Sequence, residues 1–281
     1  MKLSGKAIVC GVIGWPISHS CSPVLHNFWL KKYNIDGAYV PFPIKPDQLD
    51  KAILGILNLG IKGINVTLPY KESVLNYIHD LTDEAENIGA VNTLTVNEVG
   101  EIYGDNTDPF GFIENIRTNA PNVNFSSKKA IVIGAGGASR SVCFALIKAG
   151  ISEIVLTNRS KERGDLLRKK FGSVIAVEPW KHRSSILEEA DIVINCTSLG
   201  MYGQPDLDIS LGKLPQHAVV NDLVYAPIDT NLIREAERRG HICIDGLGML
   251  LYQAQPSFYK WFNIEPEVSA QLRNHVIESL N

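Results

Sequence analysis

Short aliphatic and β-branched runs alternate along this chain with segments of helical apolar spacing, a pattern that predicts an α/β protein. In the first half the strand-like runs fall near Ala7–Ile13, Ala38–Phe42 and Ile61–Val66, with helical patterns over Pro23–Tyr33 and Asp47–Leu59 between them. Asn92–Val96 and Glu101–Tyr103 read as a β-hairpin that turns through Asn97 to Gly100. The polar stretch Ala120–Ser127 reads as a loop, after which a second series begins. Its strands are expected at Ala130–Ile133, Glu153–Thr157, Val174–Val177, Ile192–Asn195, Val219–Asp222 and Ile242–Ile244. Six strands with intervening helices predict one doubly wound parallel sheet. From Met249 to Leu280 the pattern is helical and apolar with no strand of its own, so this tail is expected to pack on the first domain. The expected organisation is an N-terminal α/β domain over residues 1–108, joined by C-terminal helices 249–281, and a Rossmann-type domain over 109–248.

Composition narrows the class. The 281 residues are 45% hydrophobic and 20% charged, which excludes disorder, collagen-like repeats and a coiled coil. No internal repeat or low-complexity segment interrupts the chain. Lys and Arg number 27 against 30 Asp and Glu, a net charge of -3 that argues against a nucleic-acid partner. No apolar stretch approaches the roughly 20 residues that span a bilayer. Ala7 to Ile17, behind Lys2 and Lys6, imitates a short signal sequence, but Pro16 breaks it and no small-residue cleavage site follows. It reads as a buried strand. Five scattered cysteines without CxxC spacing suit a reducing cytoplasm, and seven histidines without an HxH or HExxH pair predict no metal site.

The strand Ala130–Ile133 runs into Gly134-Ala135-Gly136-Gly137-Ala138-Ser139, and Val142, Leu146 and Ala149 then form one helical stripe that ends near Gly150. Strand, glycine turn and helix N-terminus together aim backbone N–H groups at a diphosphate. The next strand ends in Asn158-Arg159-Ser160, with Arg163 one turn on, where an acidic residue would bind the ribose hydroxyl of NAD. Arginines there favour a 2′-phosphate. At roughly 1.5–3 kcal/mol per charge-assisted bond, two of them supply a preference on the order of 100-fold for NADP. The plainer reading, a solvated helix start, sets cations against the helix dipole.

Three places in the first domain place a polar cluster before a proline that can open a helix: His19-Ser20-Cys21-Ser22 before Pro23, Asn65 to Leu68 before Pro69, and Asn106-Thr107-Asp108 before Pro109. Each one alone reads as capping, with Ser22 and Asp108 as good N-caps. Two details tilt towards binding. Ser20 and Ser22 alternate around Cys21, so in an extended segment both hydroxyls point one way, a cradle for a carboxylate. Lys71 falls in the first turn of its expected helix, where the dipole disfavours a cation and eases loss of its proton, with Glu72 beside it in opposition.

Taken together these residues resemble the shikimate dehydrogenase family over essentially the whole chain. The matching segments include His19 to Pro23 with His26-Asn27, Asn65 to Lys71, Gly89 to Thr93, Gly104 to Gly111, Gly134 to Ser139, Asn158 to Ser160, Asn195 to Met201, Asp222 to Pro227, and Gly246 to Leu250 with Gln253. The resemblance implies reversible NADP-linked oxidation of shikimate to 3-dehydroshikimate, a step towards chorismate and the aromatic amino acids, in two domains that close over a cleft. It implies Lys71 and Asp108 as the catalytic pair, and Ser20, Ser22 and Tyr225 as carboxylate contacts. Thr67, Asn92, Asp108 and Gln253, beside Lys71, are implied partners of the ring hydroxyls. For NADP or NADPH it implies Gly134, Ala135, Gly136, Gly137, Ala138, Asn158, Arg159, Ser160 and Arg163, with Thr197, Met201, Leu223, Gly246 and Met249 towards the nicotinamide. The expected partner is this small molecule alone, without nucleic acid or membrane, in a cytoplasmic monomer or homodimer. A quinate/shikimate dehydrogenase with broader substrate range or NAD use is the nearest alternative. A non-enzymatic sensor of a cyclic acid is a more distant one, and so is a tetrahydrofolate-linked dehydrogenase.

Overall fold

The computed structural model describes residues 3–280; residues 1, 2 and 281 of the expected ranges lie outside these. The chain divides into two compact units, one running up to Asp108 and resuming at Leu251, the other spanning Pro109–Leu250. In the first unit β1 (Ile8–Gly14), α1 (Ser22–Lys32), β2 (Gly37–Pro43), α2 (Leu49–Asn58) and β3 (Gly63–Val66) come first. Then follow β4 (Asp80–Leu81), α3 (Asp83–Ile88), β5 (Thr93–Val96) and β6 (Ile102–Asp105). They form a mixed six-stranded sheet in the order β2-β1-β3-β5-β6-β4. β1, β2 and β3 run parallel, while β5 is antiparallel to both β3 and β6. The expected hairpin is present, with Val96 opposite Ile102 and the Asn97 N–H on Glu101 O. On α2, Leu49, Ile53 and Ile56 form the buried stripe that packs with Ile13, Ile64, Val66 and Leu94.

Two elements near residue 80 lie beyond the sequence reading. β4 has two residues, too few for any periodicity, and α3 buries only Ala85 and Ile88 of its six. A correction applies at Pro69. Residues 68–72 form a turn, followed by a 3-10 segment at Ser73–Tyr77, so Lys71 is not in the first turn of an α-helix. The reason is a tertiary hydrogen bond: the Lys71 carbonyl accepts from the Val91 N–H at 2.7 Å, a partner that helical geometry would not allow.

The second unit follows α4 (Asp108–Asn119) with β7 (Lys129–Ile133), α5 (Gly137–Lys148), β8 (Glu153–Asn158), α6 (Lys161–Phe171) and β9 (Ile175–Pro179). Next come β10 (Ile192–Asn195), β11 (Val219–Asp222), α7 (Asn231–Arg238), β12 (Ile242–Ile244) and the start of α8 (Gly246–Phe262). The sheet is wholly parallel in the order β12-β11-β10-β7-β8-β9, the doubly wound arrangement. Both faces are covered, which is why its strands are continuous apolar runs. Ala130, Val132, Ile154, Leu156, Ile192 and Ile194 pack on one side, and Ile131, Ile133, Val155, Val193 and Val220 on the other. The expected helix between every strand pair does not hold. β9 and β10 are joined through 3-10 segments at Trp180–His182 and Ser185–Glu189, and residues 196–218 between β10 and β11 are irregular. Glycines and prolines break helical continuity there, yet Leu207, Leu211 and Leu214 still reach the core and cover the sheet face as a helix would.

α8 begins at Gly246, ahead of the Met249 expected for the C-terminal helical run, and α9 (Ala270–Glu278) follows it. From Leu251 on, the chain belongs to the first unit, where Phe258 and Trp261 pack around Trp29 and Tyr39. Leu94 is wholly buried in the first unit's sheet core. Leu94→Ala is expected to cost about 2–5 kcal/mol of unfolding free energy, read from the shift in urea midpoint.

Candidate functional site

The first unit gathers polar side chains from four distant segments around Asn92, which is buried. Its Nδ2 lies 2.9 Å from Thr107 Oγ1, 2.8 Å from Asp108 Oδ1 and 3.2 Å from Gln253 Oε1. Its Oδ1 accepts from the Thr107 N–H at 2.9 Å. The second carboxylate oxygen of Asp108 pairs with Lys71 Nζ at 2.5 Å, and both side chains are largely shielded, at 6% and 15% exposed. In such surroundings removing one partner strands the other charge. Lys71 thus sits at a turn, where the positive end of a helix dipole is absent and a carboxylate is its neighbour. Behind Asn92, Asn65 donates through Nδ2 to Asn92 O, Thr93 Oγ1 and Ser257 Oγ, and accepts from the Tyr39 hydroxyl at 2.7 Å. Thr67 follows β3, its carbonyl accepting from the Tyr70 N–H.

The serine pair needs correction in conformation. Cys21 is helical (φ -84, ψ -4) and is itself the N-cap position, so Ser20 and Ser22 do not alternate along an extended strand. Ser22 is the first helical residue instead of the cap, and its N–H donates to Ser20 Oγ at 3.3 Å. Both hydroxyls therefore stand at the start of α1. Asp108 likewise spends its carboxylate on Asn92 and Lys71, while its own N–H donates to Asn106 Oδ1 at 3.1 Å. Burial pushes the Cys21 thiol up from its ordinary range, against a hydrogen bond with Ser279.

In the second unit Gly134 has φ +110, a conformation reserved for glycine, and a Cβ there would meet Thr197 and the Cys196 backbone. Gly136 precedes α5, whose first residues are Gly137 and Ala138, and its N–H donates to Ser139 Oγ, which explains a buried serine at the third glycine position. Ala135 is buried in the unit's core. Asn158 closes β8 and donates to Ser160 O. Arg159 and Arg163 are exposed and have no carboxylate partner among the described residues, two open cations at the end of β8 and the start of α6. Thr197 donates its hydroxyl to Asn195 Oδ1 at 2.7 Å, and Leu223 donates its N–H to Asn195 O. Gly246 approaches the same turn so closely that a Cβ would lie 2.2 Å from Leu223 O. Met249 is buried in the unit's core and Met201 half-buried. Tyr225 also belongs to this unit, whereas Ser20, Ser22, Thr67, Lys71, Asn92, Asp108 and Gln253 belong to the first. The glycine turn, the strand-end arginines and the close approach of backbone to backbone at Gly246 form a set that fits a phosphorylated dinucleotide.

Among the described residues no three His, Cys, Asp or Glu side chains gather where they could hold a metal ion. Nor is any helix of these residues long and apolar enough to cross a membrane. Tyr39 and Ser257 join the polar cluster without having been singled out from sequence, while Asn65 and Thr107 were named only as members of polar clusters before prolines. Asn65 carried a readable signal, a polar residue inside the apolar run Gly63–Val66; Ser257 carried none.

His26 is fully buried, stacked on Tyr39 at 4.1 Å between ring centres, with Trp29, Phe258 and Trp261 around it. Neither ring nitrogen has a well-formed hydrogen bond, and burial drives its pKa down to about 3, with Asn65 pulling weakly the other way. The folded state then binds fewer protons than the unfolded one between pH 6.5 and 3, so stability falls as pH drops through that window. Between pH 7 and pH 5 this one residue is expected to cost about 2 kcal/mol. His26→Phe should shrink the drop in Tm over that interval; an unchanged drop would mean that His26 protonates in the folded protein.

The chain matches the family model for the shikimate dehydrogenase substrate binding domain over residues 12–94, and the shikimate / quinate 5-dehydrogenase model over residues 116–202. It is 48% identical over 275 residues to shikimate dehydrogenase (NADP(+)) of Paramagnetospirillum magneticum, covering 98% of this chain and 100% of that one. A solved shikimate dehydrogenase in complex with NADP+ superposes with a TM-score of 0.91 at 34% identity, covering 100% of this chain and 98% of that one. Quinate dehydrogenase from Corynebacterium glutamicum in complex with NAD gives a TM-score of 0.89 at 26% identity, covering 97% and 99%. Near-complete coverage in both directions, with almost half of the positions shared with a full-length relative, leaves one conclusion: this chain belongs to the shikimate dehydrogenase family.

Proposed function

We propose that this protein is an NADP-dependent oxidoreductase that interconverts shikimate and 3-dehydroshikimate in the pathway to chorismate and the aromatic amino acids. The observation that carries the reading is the shielded Lys71–Asp108 pair, bracketed by Asn92 and Gln253. Residues 1–108 with the C-terminal helices act as the substrate-binding and catalytic domain, and 109–248 as the cofactor domain. Ser20, Ser22 and Tyr225 take the substrate carboxylate. Thr67, Asn92, Gln253 and Asp108 take the ring hydroxyls. Gly134 to Ala138 cradle the diphosphate, and Asn158, Arg159, Ser160 and Arg163 hold the 2′-phosphate. Thr197, Met201, Leu223, Gly246 and Met249 line the nicotinamide side.

NADP, when bound, supplies hydride transfer at the carbinol carbon. The chain's own task is the alcohol proton. Lys71 in its amine form accepts that proton, while Asp108 binds the same hydroxyl and orients the ammonium that results, the two acting as a coupled pair. Asn92, which donates to Asp108 Oδ1, fixes which carboxylate oxygen faces Lys71. The protein works in the cytoplasm as a monomer or homodimer, with no nucleic-acid partner. Quinate use is the second reading, favoured by the breadth of the matched second-domain family and by the quinate dehydrogenase likeness.

Reduced-nicotinamide absorbance with shikimate or quinate, each paired with NADP or NAD, tests this directly. Fast reduction is expected only with shikimate and NADP. Comparable rates with quinate or NAD would move the protein to the broader reading, and silence in all four would overturn the enzyme. Lys71→Ala is expected to lower turnover by about 10²–10⁴-fold, and near-normal turnover would remove Lys71 from the chemistry. Arg159→Ala should raise KM for NADP by about 10–100-fold while leaving KM for NAD nearly unchanged.

A further inference from the structure

Asp222, the last residue of β11, is 1% exposed and has no cationic partner among the described residues. A buried carboxylate without a counter-ion is costly and is retained where its acceptors are needed. Here three donors converge on it. Asn195 Nδ2 and the Val224 N–H reach Oδ1 at 2.9 and 3.0 Å, and the Thr230 hydroxyl reaches Oδ2 at 2.7 Å. Each donor leads to a different element. Asn195 ends β10, accepts both the N–H and the hydroxyl of Thr197, and takes the Leu223 N–H on its carbonyl. Val224 lies in the turn between Leu223 and Tyr225. Thr230 caps α7 by accepting the Ile233 N–H. The carboxylate accepts from all three at once; with one acceptor oxygen, an amide would either force the Thr230 hydroxyl to turn and accept or set its own N–H against the Asn195 and Val224 donors.

We propose that Asp222 is a positioning residue for the reaction, its carboxylate fixing the Leu223–Tyr225 turn and, through Asn195, the Thr197 side chain. The inference rests on the ligand contacts assigned above to Leu223, Tyr225 and Thr197, and it adds the group that holds all three. Burial pushes the Asp222 carboxyl up to about 6, against the hydrogen bonds from Val224, Thr230 and Asn195, so the acceptor form is the one present at pH 7.5. The titratable neighbour that feels its charge is the Cys196 thiol, itself pushed well up by burial.

The test compares wild type, Asp222→Asn and Thr230→Val at pH 7.5, well below each variant's Tm. Thr230→Val serves as the stability control, since it removes one donor and the α7 cap without touching the turn. For Asp222→Asn, amide exchange at Val224 in the ligand-free protein should quicken by more than about tenfold. Calorimetry should show NADP+ bound about tenfold more weakly, and kcat should fall by about 10–100-fold. Thr230→Val should lose comparable Tm while keeping NADP+ Kd and kcat within about threefold. If Asp222→Asn does not fold, Asp222→Ser, which leaves room for water among the same donors, carries the same expectation. Wild-type binding and turnover in the folded variant would overturn the proposal, and so would an equal kinetic loss in Thr230→Val. A wild type that neither binds NADP+ nor oxidises shikimate would instead overturn the proposed function, with the Val224 exchange still deciding whether the carboxylate holds the turn.

Discussion

The first unit is organised by the need to satisfy one buried amide. Asn92 lies between β3 and the 105–108 segment, with its carbonyl taking the Val66 N–H and its own N–H on Asp105 O. Its side chain offers two hydrogens to three acceptors, on Thr107, Asp108 and Gln253, so any displacement of one partner is felt by the others. Because unpaired polar groups are expensive in an apolar interior, the core admits essentially one arrangement of these segments. That arrangement puts Asp108 against Lys71. The Asn65 cluster lies directly behind this network, and Tyr39, which donates to Asn65, stacks on His26.

The second unit obeys a different constraint, the closeness of backbone to backbone at the carboxyl ends of parallel strands. The strand order reverses between β7 and β10, and at such a switch point the loops diverge and leave a crevice. Gly134 turns away with positive φ, and Gly246 approaches Leu223 O more nearly than any side chain would permit. Asn195 and Asp222, the last residues of neighbouring strands, tie these loops together through side chains buried beneath them. The exposed Arg159, just after β8, and Arg163, in the first turn of α6, have no such support and no carboxylate partner among the described residues.

Much of this was legible before any coordinates. Parallel strands buried on both faces show as unbroken apolar runs, so β7, β8, β10 and β11 were readable almost to the residue. The Asn97–Gly100 turn was readable from its turn chemistry and the alternation around it. What escaped had a common cause. β4 and α3 are too short to carry a period, and residues 196–218 bury leucines without repeating them. At Pro69 local propensity pointed to a helix, but the Lys71 carbonyl finds a better partner in Val91. Cys21 takes a helical conformation and not an extended one because the chain enters α1 one residue earlier than serine capping would require.

The pairing of Lys71 with Asp108 was an implication of the family resemblance, whereas the amino acids by themselves determined the two-part α/β plan, the glycine turn after β7 and the absence of an acidic residue after β8. These are properties of spacing and residue type, which survive in one dimension. Only the tertiary structure decided that Lys71 meets Asp108 at 2.5 Å from a turn, and that Asn92 gathers Thr107, Asp108 and Gln253 around one amide. It also decided that Asp222 stands buried under three donors. The reason is physical: a hydrogen bond between residues far apart in sequence has no signature in either residue alone. Its energy becomes favourable only once the core around it has excluded water.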